Sequence, residues 1–334
     1  MPISAHLDFE TLNGALKAAG ESTRLRILAL LGEAEVTVSD LTDILRQSQP
    51  RISRHLRLLA EAGLVDRFRE GSWAFFRLGE RGGAAEFARE LIKRLDPADP
   101  TLARDRERLT AVRTARANAA QAYFGRHAAE WDRIRKLHVA DEAVEAAISG
   151  ALAGTEIRAL LDLGTGTGRM LELFGPAIER GLGLDLSLDM LALARARLDR
   201  AGLKHCSVRQ GDIYDLALPK ESFDVVIIHQ VLHFLDDGAR AIAEAARVLR
   251  PSGRLLVVDF APHDLEFLRD QHAHRRLGFP PDTVTQWMKA ANLDLVLQRN
   301  LAPEQPSEGQ IAVSLWLARD PRLVLAAPAA LEVA

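Results

Sequence analysis

Hydrophobic positions in the first 95 residues recur at helical spacing and predict short helices followed by one hairpin. Two helices follow from Leu12, Leu16 and Ala19, and from Leu25, Leu28 and Leu31 within Arg24–Leu31. Ser39 is predicted to cap a third helix, and Pro50 stands in the first turn of a fourth that ends at Gly63. Two alternating strands, Leu64–Arg69 and Trp73–Leu78, and a last helix, Ala84–Leu95, complete this region.

A different pattern begins near Gln121, where continuously apolar strands alternate with helical stretches. The predicted strands are Ile157–Leu163, Leu182–Asp185, Phe223–His229 and Arg254–Phe260, and the helices include Met190–Leu203 and Ala239–Leu249. Strands of this kind separated by helices are typical of a parallel sheet covered on both faces, so the fold class is α/β and multidomain. The predicted domains are residues 1–96 and 121–320, joined by an exposed connecting helix over 97–120 and followed by a tail, 321–334.

Composition agrees with two globular domains. The chain has 334 residues, of which 48% are hydrophobic and 27% charged, so wholesale disorder is excluded. A single cysteine, Cys206, excludes a disulfide framework and any zinc or arsenic site built from several cysteines. With no apolar run near eighteen residues and no signal-peptide pattern at the start, we expect a cytoplasmic protein without a membrane span.

The net charge of −3 conceals a basic region. Between Arg46 and Arg77, seven arginines stand against three acids, a surplus of four positive charges. With the predicted helices and hairpin, this surplus indicates a winged helix-turn-helix that binds DNA. The predicted contacts from the fourth helix are Gln49, Arg51, Ser53, Arg54, His55 and Arg57. Arg67, Arg69 and Arg77 on the hairpin are predicted to meet phosphates. The alternative is a winged helix used for protein contacts.

Two stretches, Ala18–Leu31 and Ser48–Val65, resemble the ArsR-type repressors. The resemblance implies a homodimer that pairs through the first and last helices and binds a two-fold DNA operator. Metal-sensing members carry Cys-x-Cys on the third helix, where this chain has Thr37 and Ser39, and the last helix has no histidine. We therefore predict that this module does not sense a metal itself.

A glycine-rich turn lies between a predicted strand and a helix, in the sequence Asp162-Leu163-Gly164-Thr165-Gly166-Thr167-Gly168. Glycines permit a tight turn and close approach of a ligand, and the helix N-terminus offers free N–H groups to an anion. Asp185 ends the next strand, 17 residues after Gly168, where a carboxylate is suited to accept hydrogen bonds from ribose hydroxyls. The alternative is a strand–helix turn without a ligand.

The pattern D-x-G-x-G-x-G resembles the first motif of class I methyltransferases that use S-adenosylmethionine, and the resemblance covers roughly residues 120–320. It implies a Rossmann-like seven-stranded sheet, completed by strands near Leu293–Asn300 and Ile311–Ala318. The cofactor contacts it implies are Asp162, Gly164, Thr165, Gly166 and Gly168 at the methionine end, Asp185 at the ribose, Leu186 and Met190 on the adenine face, Asp212 and Ile213 at the adenine edge, and His229 after the fourth strand. It also places Tyr123 and Trp131 in a lid, for which ordinary packing is an equal alternative.

Histidines are concentrated after the fourth and fifth strands, at His229, His233, His263, His272 and His274. His233 is the candidate general base, because it follows the strand where the family places its methyl acceptor; the alternative is a packed or surface histidine. His272 and His274 lack a readable third ligand, so we predict no metal. Residues 229–232 lack the motif of amino-methylating DNA enzymes, and Cys206 cannot serve a cytosine or arsenite methyltransferase. The overall pattern is closest to small-molecule enzymes of the quinone-biosynthesis type.

Two functions follow. The first is a transcriptional regulator whose second domain methylates a small molecule. The second is a repressor that senses S-adenosylmethionine or S-adenosylhomocysteine without turnover and changes its affinity for the operator. Methylation of the bound DNA is disfavoured by the missing motifs.

Overall fold

The computed structural model describes residues 7–70, 73–79, 82–127, 141–301 and 311–323. The chain divides into two compact units, residues 1–119 and 120–334. The helices of the first unit are α1 Phe9–Ala19, α2 Ser22–Leu31, α3 Val38–Leu45, α4 Gln49–Glu61 and α5 Gly83–Lys93, and α6 is Pro100–His127. Its strands are β1 Val36–Thr37, β2 Val65–Glu70 and β3 Trp73–Leu78.

The second unit alternates strands and helices. Its strands are β4 Ala159–Leu163, β5 Arg180–Asp185, β6 Cys206–Gln210, β7 Phe223–His229, β8 Leu249–Phe260, β9 Asp294–Leu301 and β10 Val313–Arg319. Its helices are α7 Asp141–Ala151, α8 Arg169–Phe174, α9 Leu188–Arg200, α10 Gly238–Val248, α11 Phe267–His272 and α12 Pro281–Ala290.

The predicted helices and hairpin are present in the first unit. The antiparallel pair β2–β3 has the register Val65 opposite Leu78, and β1 adds a short third strand beside β3. Ile52, Leu56 and Leu59 of α4 are buried in one core with residues of α1, α2 and α3. Helix α4 thus turns its apolar face inward, which leaves the opposite face to solvent.

The cap of α3 differs from the prediction. Thr37, not Ser39, is the N-cap: its hydroxyl accepts a hydrogen bond from the Asp40 amide at 3.2 Å. The Asp40 carboxylate accepts one in return from the Thr37 amide at 2.9 Å. This reciprocal capping box satisfies two backbone donors, whereas Ser39 lies one residue inside the helix.

The predicted connecting segment is also different, because the first turns of α6 pack on the first unit. Leu102, Asp105 and Leu109 are buried, at a spacing of three and four residues. Arg26 of α2 donates two hydrogen bonds of 2.6 Å to the two carboxylate oxygens of Asp105. The expected exposed helix was wrong for these turns, because an acid stands in the middle of the buried stripe and weakens its apolar pattern.

The second unit is built on a seven-stranded sheet with the order β6-β5-β4-β7-β8-β10-β9. Strands β4 to β8 are parallel to one another, and β10 runs antiparallel to both β8 and β9. Separate apolar clusters lie on the two faces of the sheet. This arrangement confirms the predicted α/β class and the seven strands.

The strand order fixes where a ligand can bind. The strand after β4 in the chain lies on one side of it, and β7 lies on the other, so the connections diverge between β4 and β7. A crevice forms beyond the carboxyl ends of strands at such a switch point. The glycine-rich turn follows the carboxyl end of β4 here, and Asp185 is the last residue of β5.

Within the described residues, no helix is long and apolar enough to cross a membrane.

Candidate functional site

The glycine-rich turn joins β4 to α8. Gly164, Gly166 and Gly168 have φ of +68°, +51° and +80°, a region that favours glycine. The amides of Gly164 and Thr165 donate to the carbonyl of Leu184 at 2.8 and 2.9 Å, which ties the turn to β5. A Cβ on Gly164 would lie 2.4 Å from Cγ2 of Val231, so the turn also packs tightly against the segment after β7.

Asp185 lies across this turn at the end of β5. Its carboxylate accepts hydrogen bonds from the Gly166 amide at 2.8 Å and the Ser187 amide at 2.9 Å. Burial raises the pKa of Asp185, and these backbone hydrogen bonds oppose the rise because they favour the charged form. The side chain of Leu186 is 42% exposed beside it, which presents an apolar surface next to a fixed carboxylate.

Asp162 stabilises the turn through a buried hydrogen bond. Its buried carboxylate accepts a hydrogen bond from the Thr165 hydroxyl at 2.6 Å. A Cβ on Gly183 of β5 would lie 2.6 Å from that hydroxyl, so the neighbouring strand leaves just enough room for Thr165. The contact of Asp162 described here is within the turn, and its predicted contact with a ligand stays a prediction.

The remaining predicted cofactor residues have different environments. Met190 and Ile213 are buried, whereas Asp212 is exposed and accepts a hydrogen bond from the Tyr214 amide at 2.9 Å. His229 is half-buried at the end of β7. Two residues were predicted to form a lid. Trp131 lies outside the described residues, and so does the side chain of Tyr123.

Gln210 is a site residue that the sequence reasoning missed. Its side-chain amide donates to the carbonyl of Leu186 at 3.0 Å, while the Gly211 amide donates to the carbonyl of Asp185 at 3.1 Å. The end of β6 is thereby fixed to the end of β5. Its signal in the sequence was its place at the end of the third strand, two residues before the predicted adenine contact Asp212.

His233 is a packed histidine and not a surface one. It lies in the short helical turn Leu232–Phe234, and its side chain is 2% exposed. Its Nδ1 is 2.7 Å from a carboxylate oxygen of Asp259 in β8, whose side chain is fully buried. The sequence reasoning missed Asp259, although an acid near the end of an apolar strand is the signal that identified Asp185.

Most of the predicted DNA contacts are exposed. Exposed residues there are Gln49, Arg51, Ser53, Arg54 and Arg57 of α4, together with Arg67 and Arg69 of β2. Arg77 is half-buried, with its guanidinium 5.0 Å from the ring centroid of Phe68 and 3.6 Å from Glu35.

The burial of His55 contradicts its prediction as a DNA contact. It is buried, and its Nδ1 lies 3.5 Å from the carboxylate of Glu21. Position 55 follows Ile52 by one helical turn, so it shares the inward face of α4. Burial lowers the pKa of His55, Glu21 opposes this, and nearby arginines add to it. We therefore assign His55 to the packing of the domain.

Among the described residues, no group of three histidine, cysteine, aspartate or glutamate side chains is placed to hold a metal ion. Thr37 is buried as the cap of α3.

Comparison with known families finds two matches. Residues 21–67 match the family described as bacterial regulatory protein, arsR family, and residues 161–257 match the family described as methyltransferase domain. The first range contains α4 and the hydrogen-bonded pair Thr37–Asp40. The second range contains the glycine-rich turn, Asp185 and His233.

Individual relatives match one part of the chain each. The arsenical resistance operon repressor of Escherichia coli is 49% identical over 63 residues, which is 19% of this chain and 54% of that protein. Methyltransferase YcgJ of Bacillus subtilis is 32% identical over 137 residues, 41% of this chain and 54% of that protein. The chain thus spans about half the length of these relatives.

A solved structure supports the fold of the second unit. One chain of the complex between the Haloferax volcanii Trm112 methyltransferase activator and a methyltransferase aligns with a TM-score of 0.50. The alignment covers 60% of this chain and 98% of that one at 22% identity, which bears on the fold alone.

Proposed function

Because the chain joins an ArsR-family helix-turn-helix domain to a class I methyltransferase domain, we propose that it is a DNA-binding transcriptional regulator that transfers a methyl group from S-adenosylmethionine to a small molecule. The observation that carries the proposal is the hydrogen bond of 2.8 Å between the Gly166 amide and the carboxylate of Asp185. It brings together the two elements that the family uses for its cofactor.

The residues at the switch point fit S-adenosylmethionine. Asp185 is held at the crevice by two backbone amides and keeps lone pairs for ribose hydroxyls. Leu186 offers an exposed apolar surface for an adenine ring, and the turn at Gly164–Gly168 presents backbone to the amino-acid end. When bound, the sulfonium supplies an activated methyl group, and the protein has to align donor and acceptor.

The first unit supports recognition of a DNA operator. Arg51, Ser53 and Arg54 are exposed in the first half of α4, where side chains of a recognition helix reach base edges. Arg67 and Arg69 are exposed on β2, where they can contact phosphates and add affinity without sequence preference.

A homodimer is supported by the surface of α1. Phe9, Leu12 and Leu16 are exposed along one face at helical spacing, and the side chain of Phe9 is 82% exposed. An apolar stripe of this kind is typical of an interface, because water contact with these side chains is unfavourable. In the proposed dimer, the two copies of α4 bind the two halves of a two-fold operator.

A second candidate is a sensor that binds S-adenosylmethionine or S-adenosylhomocysteine without turnover. The burial of His233 favours it, because a side chain that is 2% exposed offers little surface to a methyl acceptor. The sensor requires that the ligand bind the DNA-competent and DNA-incompetent forms with different affinity, with a coupling of about 1–3 kcal/mol.

The test begins by selecting an operator from a random DNA pool with the full-length protein. Its affinity is then measured without ligand, with S-adenosylmethionine and with S-adenosylhomocysteine, beside an assay for transfer of labelled methyl groups to small molecules. Turnover with any effect on DNA supports the regulator with an active enzyme. Ligand-dependent DNA affinity without turnover supports the sensor, and failure to select any operator contradicts both.

A further inference from the structure

Helix α6 begins in the first unit and ends in the second. It runs without a break from Pro100 to His127, and the boundary between the two compact units lies between residues 119 and 120. Every other helix and strand of the described residues belongs to one unit alone. Regular secondary structure therefore connects the two units through α6.

The first half of α6 is fixed to α2 and to the loop that follows α2. Both carboxylate oxygens of the buried Asp105 accept hydrogen bonds of 2.6 Å from Arg26. Arg106 donates to the carboxylate of Glu33 at 2.5 Å, and Arg113 donates to the backbone carbonyl of the same glutamate at 2.9 Å. Because these contacts extend from residue 105 to residue 113, this half of α6 cannot shift without breaking several of them.

One further contact connects α6 to the helix-turn-helix itself. Arg108 donates a hydrogen bond of 3.0 Å to the carbonyl of Ile44, in the last turn of α3. Carbonyls in the last turn of a helix have no partner within the helix, and a nearby arginine satisfies them by its hydrogen bond and its charge. Residues 46–48 alone separate α3 from α4. Arg108 therefore holds the chain five residues before α4, the helix that is predicted to contact DNA bases.

The turn between α3 and α4 is held from the other side by α2. Arg46 ends α3 with φ +55°, a left-handed conformation that is uncommon for arginine, and its amide donates to the carbonyl of Thr42. The side-chain amide of Gln47 donates to the hydroxyl of Thr23 in α2 at 3.2 Å. Since the turn has contacts with both α2 and α6, a change in how α6 packs on α2 alters the placement of α4.

The second half of α6 extends into the unit that contains the glycine-rich turn. Five alanines stand between positions 115 and 122, so this half has a high intrinsic helix propensity. Tyr123, which is predicted in a lid over the cofactor, lies on the same helix about four turns after Arg108. A rigid helix can pass a displacement from one end to the other, so α6 is suited to connect the two functions.

We propose that α6 couples the cofactor site to the operator. Occupancy of the cofactor site changes the docking of α6 on α2 and α3, and Arg108 passes this change to the turn before α4. The docked arrangement, in which that turn is fixed, is the one that binds the operator, and the ligand binds the docked and altered arrangements with different affinity. This inference rests on the proposed function and names the route by which the cofactor regulates DNA binding.

The first test uses the full-length protein and a substitution that interrupts α6. Ala115 is exposed, and Ala115→Pro removes a helical hydrogen bond and places the proline ring against the carbonyl four residues earlier. Ala115→Ser is the matched control, because it changes the same position and keeps the helix. S-adenosylmethionine affinity is measured by calorimetry, and affinity for the selected operator by fluorescence anisotropy, with and without saturating S-adenosylmethionine or S-adenosylhomocysteine.

In wild type and Ala115→Ser, we expect the ligand to change operator affinity roughly 5–150-fold. In Ala115→Pro, we expect the cofactor and the operator each to bind alone as in wild type, and the effect of one on the other to disappear. The inference is overturned if Ala115→Pro keeps the wild-type coupling, or if wild type binds both ligands independently. Failure of wild type to bind S-adenosylmethionine or any operator would instead overturn the proposed function.

A second test leaves the helix intact and follows the contact with α3. Arg108→Ala removes the hydrogen bond to Ile44, and Arg104→Ala changes an exposed arginine one turn earlier on α6. Backbone hydrogen exchange is measured by mass spectrometry with and without S-adenosylhomocysteine. We expect the ligand to change exchange at residues 44–50 in wild type and Arg104→Ala but not in Arg108→Ala, whose second unit still responds. No change at 44–50 in wild type, or the same change in Arg108→Ala, overturns the inference.

Discussion

The two units place their functional groups differently. In the first, the predicted DNA contacts are exposed arginines on α4 and β2, carried by a core of apolar residues beneath them. In the second, the candidate site is made of backbone amides at Gly164–Gly168 and of carboxylates fixed by hydrogen bonds, Asp185 and Asp259. Substitution of the exposed arginines is therefore expected to have little effect on folding, whereas in the second unit the candidate site and the fold share atoms.

The first unit nevertheless contains a polar contact to a buried acid, between Arg26 and Asp105, and its removal is expected to have the largest effect. Asp105→Ala removes the partner of Arg26 and leaves a guanidinium facing a buried position. We expect the free energy of unfolding of the first unit to fall by about 3 kcal/mol, measured by urea denaturation.

The matched control is Glu33→Ala, which removes the exposed ion pair with Arg106 and is expected to cost less than about 1 kcal/mol. Equal effects of the two variants would mean that α6 is not anchored through Asp105.

The next largest effect on the free energy of unfolding is expected at the glycine-rich turn, where the candidate site and the fold use the same residues. Gly164→Ala introduces a side chain at φ +68° and pushes its Cβ against Val231. Gly202→Ala introduces the same side chain at φ +70° with nothing within 4 Å. Both pay the left-handed strain, so the difference in unfolding free energy between them, about 1–3 kcal/mol, measures the overpacking.

The double variant Gly164→Ala with Val231→Ala is expected to recover part of that difference. If Gly164→Ala and Gly202→Ala are equally stable in thermal and urea unfolding, the close packing of the turn against the segment after β7 is refuted.

On the DNA surface, we expect loss of recognition without loss of stability. Arg54→Ala is expected to weaken binding to the selected operator by about 1–3 kcal/mol and to relax its preference at one base pair. Arg67→Ala, on β2, is expected to weaken all DNA sequences alike and to reduce the salt dependence. Fluorescence anisotropy with matched and mismatched operators separates the two. A uniform loss for Arg54→Ala would assign it to a phosphate.

The smallest effect concerns acid stability. Because the pKa of His263 is about 4 in the folded protein, below the ordinary value of 6.5, the unfolded chain binds a proton that the folded chain does not between these values. This group therefore costs stability as pH falls from about 6.5 to 4, by about 1 kcal/mol after allowance for its partial exposure. His263→Gln is expected to show a shallower loss over that range. Identical pH profiles would contradict the burial.

Much of this arrangement could be predicted from local pattern. The strand at 223–229 was predicted from a short apolar run, and the structure contains it. The glycine-rich turn and Asp185 were each predicted from the few residues around them, and a hydrogen bond joins them in the structure. This reliance on local pattern also explains why Asp259 and Asp105 were missed. Each is paired with a residue 26 or 79 positions away, and sequence spacing holds no information on such contacts. His55 was predicted among the exposed residues of α4, but it follows Ile52 by one helical turn and lies on the inward face.

The proposed function requires S-adenosylmethionine to bind at the carboxyl ends of β4 and β5, held by Asp185. Calorimetric titration of the full-length protein tests it directly, with Asp185→Ala beside Asp189→Ala, an exposed acid in the first turn of α9. We predict one site per chain, a loss of affinity of roughly 100-fold in Asp185→Ala, about 2.7 kcal/mol, and none in Asp189→Ala. Equal affinity in all three proteins, or no binding by wild type, would contradict the account.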